Sequence, residues 1–280
     1  MKTRVISGIV IAVILIGAYA LCFTPVFDIV FIALAAAACY EIGKVCQVKN
    51  KPLRVVSVIF SAALVAGIIY GGTFPLSLLA MIYVIGLILL TVISYPEVSF
   101  KDLAVTVYGS FVIPIGFSTI PLVADMYKMY SYIDKKETVL LIWLSVATAL
   151  FTDVFAYFVG SKFGKHKMAP VLSPKKSWEG AVGGVVCTTA FQLLVLLVWS
   201  LICKEKFFLP VWVYILMIIC GSILSMIGDL MASLIKRNYD VKDYSNLIPG
   251  HGGIMDRFDS VLLTAPTLYV FLTIYGLAVA

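Results

Sequence analysis

Residues 74–94 read FPLSLLAMIYVIGLILLTVIS, a stretch without a single charged side chain. A helix needs about 20 mainly apolar residues to cross the hydrocarbon core of a bilayer, so this stretch predicts a transmembrane helix. The whole chain agrees, because 62% of its 280 residues are hydrophobic, 13% are charged and the mean hydropathy is +1.06. Soluble domains have roughly 45–50% apolar and about 25% charged residues. The composition therefore excludes a soluble domain and indicates a protein of the lipid bilayer.

The same criterion predicts an all-α polytopic integral membrane protein with about nine transmembrane helices. They are expected at residues 5–23, 27–43, 53–70, 74–94, 103–124, 139–160, 180–202, 211–232 and 254–276. The first helix, preceded by Lys2 and Arg4, also resembles a cleaved signal peptide. Because the rest of the chain is membrane as well, an uncleaved first helix is the favoured interpretation.

Lysine and arginine residues indicate the orientation, because short cytoplasmic loops accumulate them. With a cytoplasmic N-terminus, the inner segments contain 15 of the 21 such residues and the outer loops contain 5. The inner set is Lys2, Arg4, Lys44, Lys49, Lys51, Arg54, Lys101, Lys162, Lys165, Lys167, Lys175, Lys176, Lys236, Arg237 and Lys242. The outer set is Lys128, Lys135, Lys136, Lys204 and Lys206, and Arg257 lies at the inner edge of the last helix. We therefore expect a cytoplasmic N-terminus, an outer C-terminus and polar loops that face the cytoplasm.

Two parts of the chain differ in their charges. Residues 1–138, with about five predicted helices, place no charge convincingly inside a helix apart from Glu41. Residues 139–280 contain four predicted helices and the two longest inner loops, 161–179 and 233–253. Carboxylates flank both loops: Asp153, Asp229, Asp256 and Asp259. Charges inside membrane helices are functional candidates, although at a helix end they are also consistent with ordinary contact with water.

The spacing of these acids predicts that they meet at the inner ends of the last two helices. Asp229, Ser233 and Lys236 follow at i, i+4 and i+7, so they share one helical face. Asp256 and Asp259, at i and i+3, share a face of the last helix, and the short loop between the helices allows Asp229 to face Asp256. Clustered carboxylates repel unless a cation lies among them. Hard oxygen ligands suit Mg²⁺ or another divalent cation, which takes one or two carboxylates and substrate phosphates.

The two loops supply positive charge and turns. Loop 161–179 carries five lysines, with helix-start signals at Ser173-Pro174 and at Ser177, and lysines beside a helix N-terminus favour an anion. Loop 233–253 adds three cations and three glycines that allow close approach of a ligand: Lys236, Arg237, Lys242, Gly250, Gly252 and Gly253. Lysine-rich inner loops also arise from topology or from attraction to anionic lipid. The combination with carboxylates is nevertheless typical of a nucleoside triphosphate site.

Residues 233–259 read SLIKRNYDVKDYSNLIPGHGGIMDRFD, which resembles the signature of the phosphatidate cytidylyltransferases, or CDP-diacylglycerol synthases. That signature is Ser, two residues, Lys-Arg, four residues, Lys-Asp, then Pro-x-His-Gly-Gly and Asp-Arg-x-Asp. Residues 151–184, FTDVFAYFVGSKFGKHKMAPVLSPKKSWEGAVGG, are similar to the same family. The resemblance covers residues 150–260. It departs at Ala232, where many bacterial members have an acid.

The resemblance implies that CTP and phosphatidic acid give CDP-diacylglycerol and pyrophosphate with a divalent metal, in phospholipid biosynthesis. Residues 139–280 are then the catalytic part, in a multi-pass protein of the cytoplasmic membrane. Catalytic roles are implied for Asp229, Asp256, Asp259, Ser233, His251 and Lys236, with Asp229 and Asp256 as ligands of Mg²⁺. Substrate-binding roles are implied for Lys175, Lys176, Ser177, Arg237, Lys242, Asp243, Gly252, Gly253, Arg257 and Asp153. No nucleic acid is expected as a partner, and a homodimer is left open.

Three alternatives stay open on the sequence. An ion-coupled carrier also has intramembrane acids and broken helices, although these charges gather near the inner surface and no internal repeat is present. A related lipid-linked kinase or nucleotidyltransferase uses another acceptor, such as a polyprenol or archaeal-type lipid phosphate. A scaffold keeps the signature without activity.

Overall fold

The computed structural model describes residues 16–17, 19–71, 75–130, 133–204, 207, 209–250 and 252–279. Helices and one small hairpin account for its regular structure. In chain order the helices are α1 (Pro25–Val45), α2 (Lys51–Tyr70), α3 (Leu76–Ile93), α4 (Phe100–Val107), α5 (Ile113–Ala124), α6 (Met126–Met129), α7 (Lys135–Phe163), α8 (Trp178–Cys203), α9 (Val211–Asn238), α10 (Met255–Phe258) and α11 (Val261–Val279). A π-helical turn, Tyr108–Val112, joins α4 to α5.

Within these residues, eight helical segments are long and apolar enough to cross a membrane. They are α1, α2, α3, the continuous segment Phe100–Ala124, α7, α8, α9 and α11. The finding confirms a helical, polytopic membrane protein. The first predicted helix, 5–23, lies mostly outside the described residues, as do Lys2, Arg4 and Lys206. The count of about nine helices and the orientation of the termini stay predictions.

Polar caps start several helices before the apolar runs begin. The side chains of Asn50, Asp134 and Ser177 accept hydrogen bonds from backbone N–H groups in the first turns of α2, α7 and α8, at 2.9, 2.7 and 3.2 Å. Such a cap satisfies a backbone donor that has no partner inside the helix. The prediction of a helix start at Ser177 is therefore confirmed.

The loop before α8 contains a short antiparallel hairpin, which corrects the all-α prediction locally. Strand β1 (Lys167–Ala169) pairs with strand β2 (Ser173–Ser177), and the Trp178 N–H donates to the His166 carbonyl oxygen at 3.0 Å. The helix start expected at Ser173-Pro174 is wrong, because these residues begin β2. Proline lacks an N–H, which a strand of this two-stranded sheet tolerates on its outer edge.

The last predicted helix, 254–276, is interrupted. The short helix α10 ends at Phe258 and α11 begins at Val261, with a turn at Asp259 and Ser260. The Asp259 carboxylate Oδ1 accepts the Ser260 N–H at 2.7 Å, a local bond that competes with helical pairing. The expectation that Asp256 and Asp259 share one helical face is therefore wrong.

The described residues form two compact units. Unit 1 contains the residues up to Pro121 together with Ile235–Phe258, and unit 2 contains Leu122–Leu234 and the residues from Asp259 onward. The loop between α9 and α10, residues 239–254, is called the signature loop below. It belongs to the same unit as the N-terminal helices. The division at residue 138 by motif content stays a prediction about function.

Unit 1 has an aromatic and aliphatic core between α2 and α3. The rings of Phe60 and Tyr83 stack with centroids 3.7 Å apart, and Phe111 packs against both. Leu53 and Leu87 are fully buried beside them. This packing holds α2 and α3 against the π-helical turn that contains Phe111.

Unit 2 is held by close contact between α7 and α8. A Cβ at Gly180 would lie 2.7 Å from the Ala156 carbonyl oxygen, and a Cβ at Gly184 would lie 3.0 Å from the Thr152 carbonyl oxygen. Small residues allow membrane helices to approach closely and gain van der Waals contact. The tight pair holds the β1–β2 hairpin at one end of α7 and α8.

Candidate active site

Asp256 lies at the centre of a hydrogen-bonded cluster in unit 1. Its side chain is only 3% exposed, and Oδ1 accepts a hydrogen bond from the Lys236 ammonium at 2.8 Å. Oδ2 accepts the backbone N–H groups of Tyr244, at 2.7 Å, and Gly253, at 2.9 Å. The Lys236 ammonium also lies 5.4 Å from the centre of the Tyr244 ring. The cluster therefore joins the end of α9, the signature loop and α10.

The glycines of the signature loop serve its internal packing. The Ile248 N–H donates to the Gly252 carbonyl oxygen at 2.9 Å, and Gly250 and Gly252 have φ values of +78° and +85°. Glycine adopts this left-handed region without the steric cost that other residues incur. A Cβ at Gly252 would lie 2.7 Å from Asp256 Oδ2. The conformation and packing of the loop therefore explain Gly250 and Gly252. Ligand contact at Gly252 and Gly253 stays a prediction.

Glu41 is a site residue that the sequence analysis noted only as an exception. The carboxylate is 3% exposed and accepts hydrogen bonds from the Ser245 hydroxyl at 2.6 Å, the Ile254 N–H at 3.1 Å and the Met255 N–H at 2.9 Å. A Cβ at Gly253 would lie 2.5 Å from both carboxylate oxygens of Glu41. Glu41 is the one acid of α1 beyond its first turn, which contains Asp28. That position was the available signal, since a charge inside an apolar helix needs a partner.

The start of the signature loop also contacts the N-terminal helices. The Lys101 ammonium lies 4.5 Å from the centre of the Tyr239 ring, and the Tyr239 hydroxyl is hydrogen-bonded to Cys46. Burial raises the pKa of the Cys46 thiol to about 11 and that of the Tyr239 hydroxyl to about 12. Both groups are therefore neutral at pH 7.

In unit 2, Lys176 forms an ion pair with Asp229, and the two side chains are 22% and 26% exposed. Successive side chains of a strand point to opposite faces, and in β2 Lys176 is half-buried whereas Lys175 is exposed. The two adjacent lysines therefore have different surroundings. Lys176 neutralises a carboxylate, and Lys175 is open to solvent.

Two further carboxylates of unit 2 meet at Ser260. The Ser260 hydroxyl lies 3.0 Å from Asp153 Oδ2 and 3.4 Å from Asp259 Oδ1. Asp153 also interacts electrostatically with Lys176 and Asp229. Three of the four predicted acids thus belong to one polar cluster of unit 2, and Asp256 belongs to unit 1. Ser260 has no place in the predicted signature, so the sequence analysis missed it.

The remaining predicted residues have varied surroundings. Ser233 is half-buried and belongs to α9 with Asp229 and Lys236, as predicted. Ala232 is fully buried. Four charged residues are exposed: Arg237, Lys242, Asp243 and Arg257. His251 lies outside the described residues. In the part of the chain that the structure describes, no three His, Cys, Asp or Glu side chains converge closely enough to hold a metal ion unaided.

Comparison with known proteins identifies the family of the chain. The model of the cytidylyltransferase family matches residues 2–275, which include the N-terminal helices. The chain is 35% identical to the phosphatidate cytidylyltransferase of Staphylococcus haemolyticus over 196 residues, 70% of this chain and 68% of that protein. It is 43% identical to the phosphatidate cytidylyltransferase of Bacillus subtilis over 127 residues, 45% of this chain and 44% of that protein. The corresponding enzyme of Staphylococcus aureus is 34% identical over 196 residues, with 70% and 68% covered.

Proposed function

The chain belongs to the cytidylyltransferase family, and on that premise we propose how it works as a phosphatidate cytidylyltransferase. It transfers CMP from CTP to phosphatidic acid, which gives CDP-diacylglycerol and pyrophosphate. The observation that carries the proposal is the cluster of unit 1, where Lys236 and Gly253 of the family signature both donate hydrogen bonds to Asp256 of the same signature. A signature whose members are joined in this way is a formed polar site in an otherwise apolar protein.

The reaction requires cations more than it requires a base. A phosphate oxygen of phosphatidic acid attacks the α-phosphorus of CTP, the bond between that phosphorus and the bridging oxygen to the β-phosphate breaks, and pyrophosphate leaves with the electron pair. A phosphate monoester is already anionic, with a second pKa near 6, so its oxygen needs no strong base. The barrier comes from repulsion between two anions and from their alignment. Lysines held in fixed positions address both.

Each lysine of the two ion pairs can serve an anionic substrate. Lys236 is hydrogen-bonded to Asp256 and Lys176 forms an ion pair with Asp229, so each ammonium has a carboxylate beside it before substrate arrives. An ammonium has three donors, so it can bind a phosphate oxygen while it keeps its carboxylate. Further positive charge for the triphosphate or the lipid head group comes from Lys175, Arg237, Lys242 and Arg257.

Mg²⁺, when bound, neutralises charge on the phosphoryl oxygens during transfer. Unit 2 offers hard oxygens for such an ion at Asp229, with Asp153 and Asp259 nearby, and Mg²⁺ takes only one or two carboxylates when substrate phosphates also bind it. Asp229 would be the main ligand. Both oxygens of Asp256 accept hydrogen bonds, so its expected role as a second ligand requires Lys236 to turn toward the substrate.

Activity is expected to depend on a divalent cation. Treatment with EDTA should abolish formation of CDP-diacylglycerol, and added MgCl₂ should restore it, because the ion would neutralise charge on the phosphoryl oxygens during transfer. The measurement is incorporation of radiolabelled CTP into lipid, with the melting temperature of the protein recorded in the same buffers. Full turnover in EDTA would contradict the metal proposal.

One assay compares the proposed function with its alternatives. Purified protein in mixed micelles is given radiolabelled CTP, MgCl₂ and one of several lipid phosphates, and the lipid-soluble product is analysed. The proposal expects CDP-diacylglycerol from phosphatidic acid and little product from a polyprenol phosphate. Product from the polyprenol phosphate alone would favour the related transferase. Solute flux in liposomes without lipid product would favour a carrier.

We place the signature loop and the β1–β2 hairpin at the cytoplasmic face. The excess of lysine and arginine in the inner loops supports this orientation, and CTP would reach each loop from the cytoplasm. Phosphatidic acid then arrives from the inner leaflet. A homodimer stays open.

An apolar groove in unit 2 is proposed to hold an acyl chain of phosphatidic acid. It encloses about 460 Å³ between α8 and α9 and is lined by apolar residues. Its walls include Trp178, Val182, Val186, Ile223, Met226 and Ile227. The stretch of α8 from Trp178 to Val186 rises about 12 Å, close to the roughly 15 Å depth of one leaflet's hydrocarbon. Lys176 precedes the lining residue Trp178 by two positions in the chain, so the head group of a lipid in the groove would lie near a lysine.

Filling the groove is expected to impair long-chain substrates selectively. Val182→Trp should raise the KM for dipalmitoyl phosphatidate about tenfold, since excluding about two methylenes from the groove would cost about 0.8 kcal/mol each. The KM for CTP should stay unchanged. The KM for a dihexanoyl substrate should change little. Leu194→Trp, at an exposed position of α8 outside the groove, is the matched control. An equal effect on both chain lengths would contradict the assignment.

A further inference from the structure

We propose that Glu41 is a positioning residue for the reaction, and that the N-terminal helices act in catalysis through it. The proposal rests on the proposed function and extends it to a part of the chain outside the family signature. Glu41 belongs to α1, more than 200 positions from its partners. Its three donors all belong to the signature loop or to the first residue of α10: Ser245, Ile254 and Met255.

Two carboxylates together hold the start of α10. The N–H groups of Gly253, Ile254 and Met255 are consecutive, and the first donates to Asp256 while the next two donate to Glu41. The first N–H groups of a helix lack partners inside it, so side chains must satisfy them. Because these three donors are fixed to one another by the backbone, a shift of Glu41 moves the peptide that bonds to Asp256. Asp256 in turn holds Lys236.

The burial of Glu41 also favours this role. A carboxylate with 3% exposure inside a membrane helix is costly unless donors compensate its lost hydration. An apolar residue would pack at this point of α1 without that cost. Among the hydrogen bonds described for this side chain, the compensation comes from the signature loop and the first residue of α10. A carboxylate here therefore acts on the loop and not only on the packing of α1.

Gly253 gives an independent sign of the contact. A Cβ there would lie 2.5 Å from each Glu41 oxygen, closer than side chains approach in proteins. Gly252 has a left-handed φ, whereas Gly253 does not. Alanine at position 253 therefore tests the contact with Glu41 without backbone strain. The second glycine of the signature is explained by the approach of α1.

The first experiment measures kinetics of Glu41→Gln in mixed micelles. An amide keeps the shape but presents an NH₂ to one of the backbone donors, so we expect kcat per folded molecule to fall about 10²-fold, the effect of misplacing a reacting group by about 1 Å. The KM for phosphatidic acid should change less than threefold. Glu97→Gln, the same substitution at an exposed glutamate of unit 1, should leave kcat unchanged. Assays well below each variant's melting temperature separate positioning from stability, and equal kcat for Glu41→Gln and the wild type would overturn the proposal.

The second experiment is a double-mutant cycle between positions 41 and 253. Gly253→Ala alone should be strongly impaired, and it should add little to Glu41→Ala, because the clashing carboxylate is gone. Residues in contact show such coupling, whereas independent sites add. Gly86→Ala, where a Cβ meets no atom within 4 Å, is the control. Additive effects at positions 41 and 253 would overturn the proposal.

Hydrogen exchange provides a readout that does not need turnover. In the wild type the amides of Ile254 and Met255 should be protected, and in Glu41→Gln they should exchange at least about tenfold faster, since a bond lost to a charged acceptor is worth more than one factor of ten. If the wild type lacks cytidylyltransferase activity, the proposed function fails. The exchange result still decides whether Glu41 holds the start of α10, a contact called the structural tie here. Unchanged exchange at both amides would overturn the tie itself.

Discussion

Asp256→Asn is expected to lower kcat by about 10²-fold, because Lys236 would lose the carboxylate that holds it and a reacting group misplaced by about 1 Å costs about that factor. The Lys236 ammonium, whose side chain is 15% exposed, would lose its counter-charge. Asparagine also offers one oxygen where the carboxylate offers two, so its NH₂ would face either Lys236 or the backbone donors of Tyr244 and Gly253. The signature loop would then lose part of the hydrogen bonding that connects it to Lys236.

The matched control for this change is Asp240→Asn. Asp240 is exposed, lies in the same loop and has a φ of +52°, a conformation that asparagine adopts as readily as aspartate. We expect near wild-type turnover from it. The measurements are CDP-diacylglycerol formation and the yield of inserted, monodisperse protein for both variants. Wild-type turnover of Asp256→Asn would contradict an active-site role and favour a scaffold.

The helices were predictable because their physics is local. A run such as 74–94 has only one stable arrangement in hydrocarbon, and α3 was found at Leu76–Ile93. The observed helices α7 and α8 begin earlier than predicted, because the polar caps Asp134 and Ser177, and not the apolar pattern, determine where they start. The common helix of Asp229, Ser233 and Lys236 was predictable for the same reason.

The partners of the charged residues were not predictable, because they depend on which distant segments meet. Spacing suggested that Asp256 and Asp259 share a helical face, yet a hydrogen bond from Ser260 to Asp259 ends that helix. The pairing of Lys176 with Asp229 joins a strand to a helix. No local pattern connects Glu41 to Met255, although the cost of a charge in α1 implied that a partner exists.

Asp229→Asn is expected to reduce turnover by at least about 10²-fold, because two roles of the residue are lost together. If each loss raises the activation free energy by about 1.4 kcal/mol, each lowers the rate about tenfold. Asp229 neutralises Lys176, and it is the carboxylate of unit 2 that we assign to Mg²⁺. Asp125→Asn is the control, since Asp125 pairs with Lys128 at 2.6 Å on the surface of unit 2. An exposed pair of this kind contributes about 0–1 kcal/mol, so turnover should be unchanged.

The two roles of Asp229 are distinguished by what else changes. If Asp229 binds the ion, Asp229→Asn should raise the Mg²⁺ concentration needed for half-maximal rate, because neutral amide oxygens bind Mg²⁺ less strongly than carboxylates. Lys176→Gln should instead raise the KM of an anionic substrate and leave the Mg²⁺ requirement near that of the wild type. An unchanged Mg²⁺ requirement in Asp229→Asn, with a KM increase like that of Lys176→Gln, would limit Asp229 to holding the lysine. The ion would then have to be assigned to other carboxylates, with Asp153 and Asp259 around Ser260 as the first candidates.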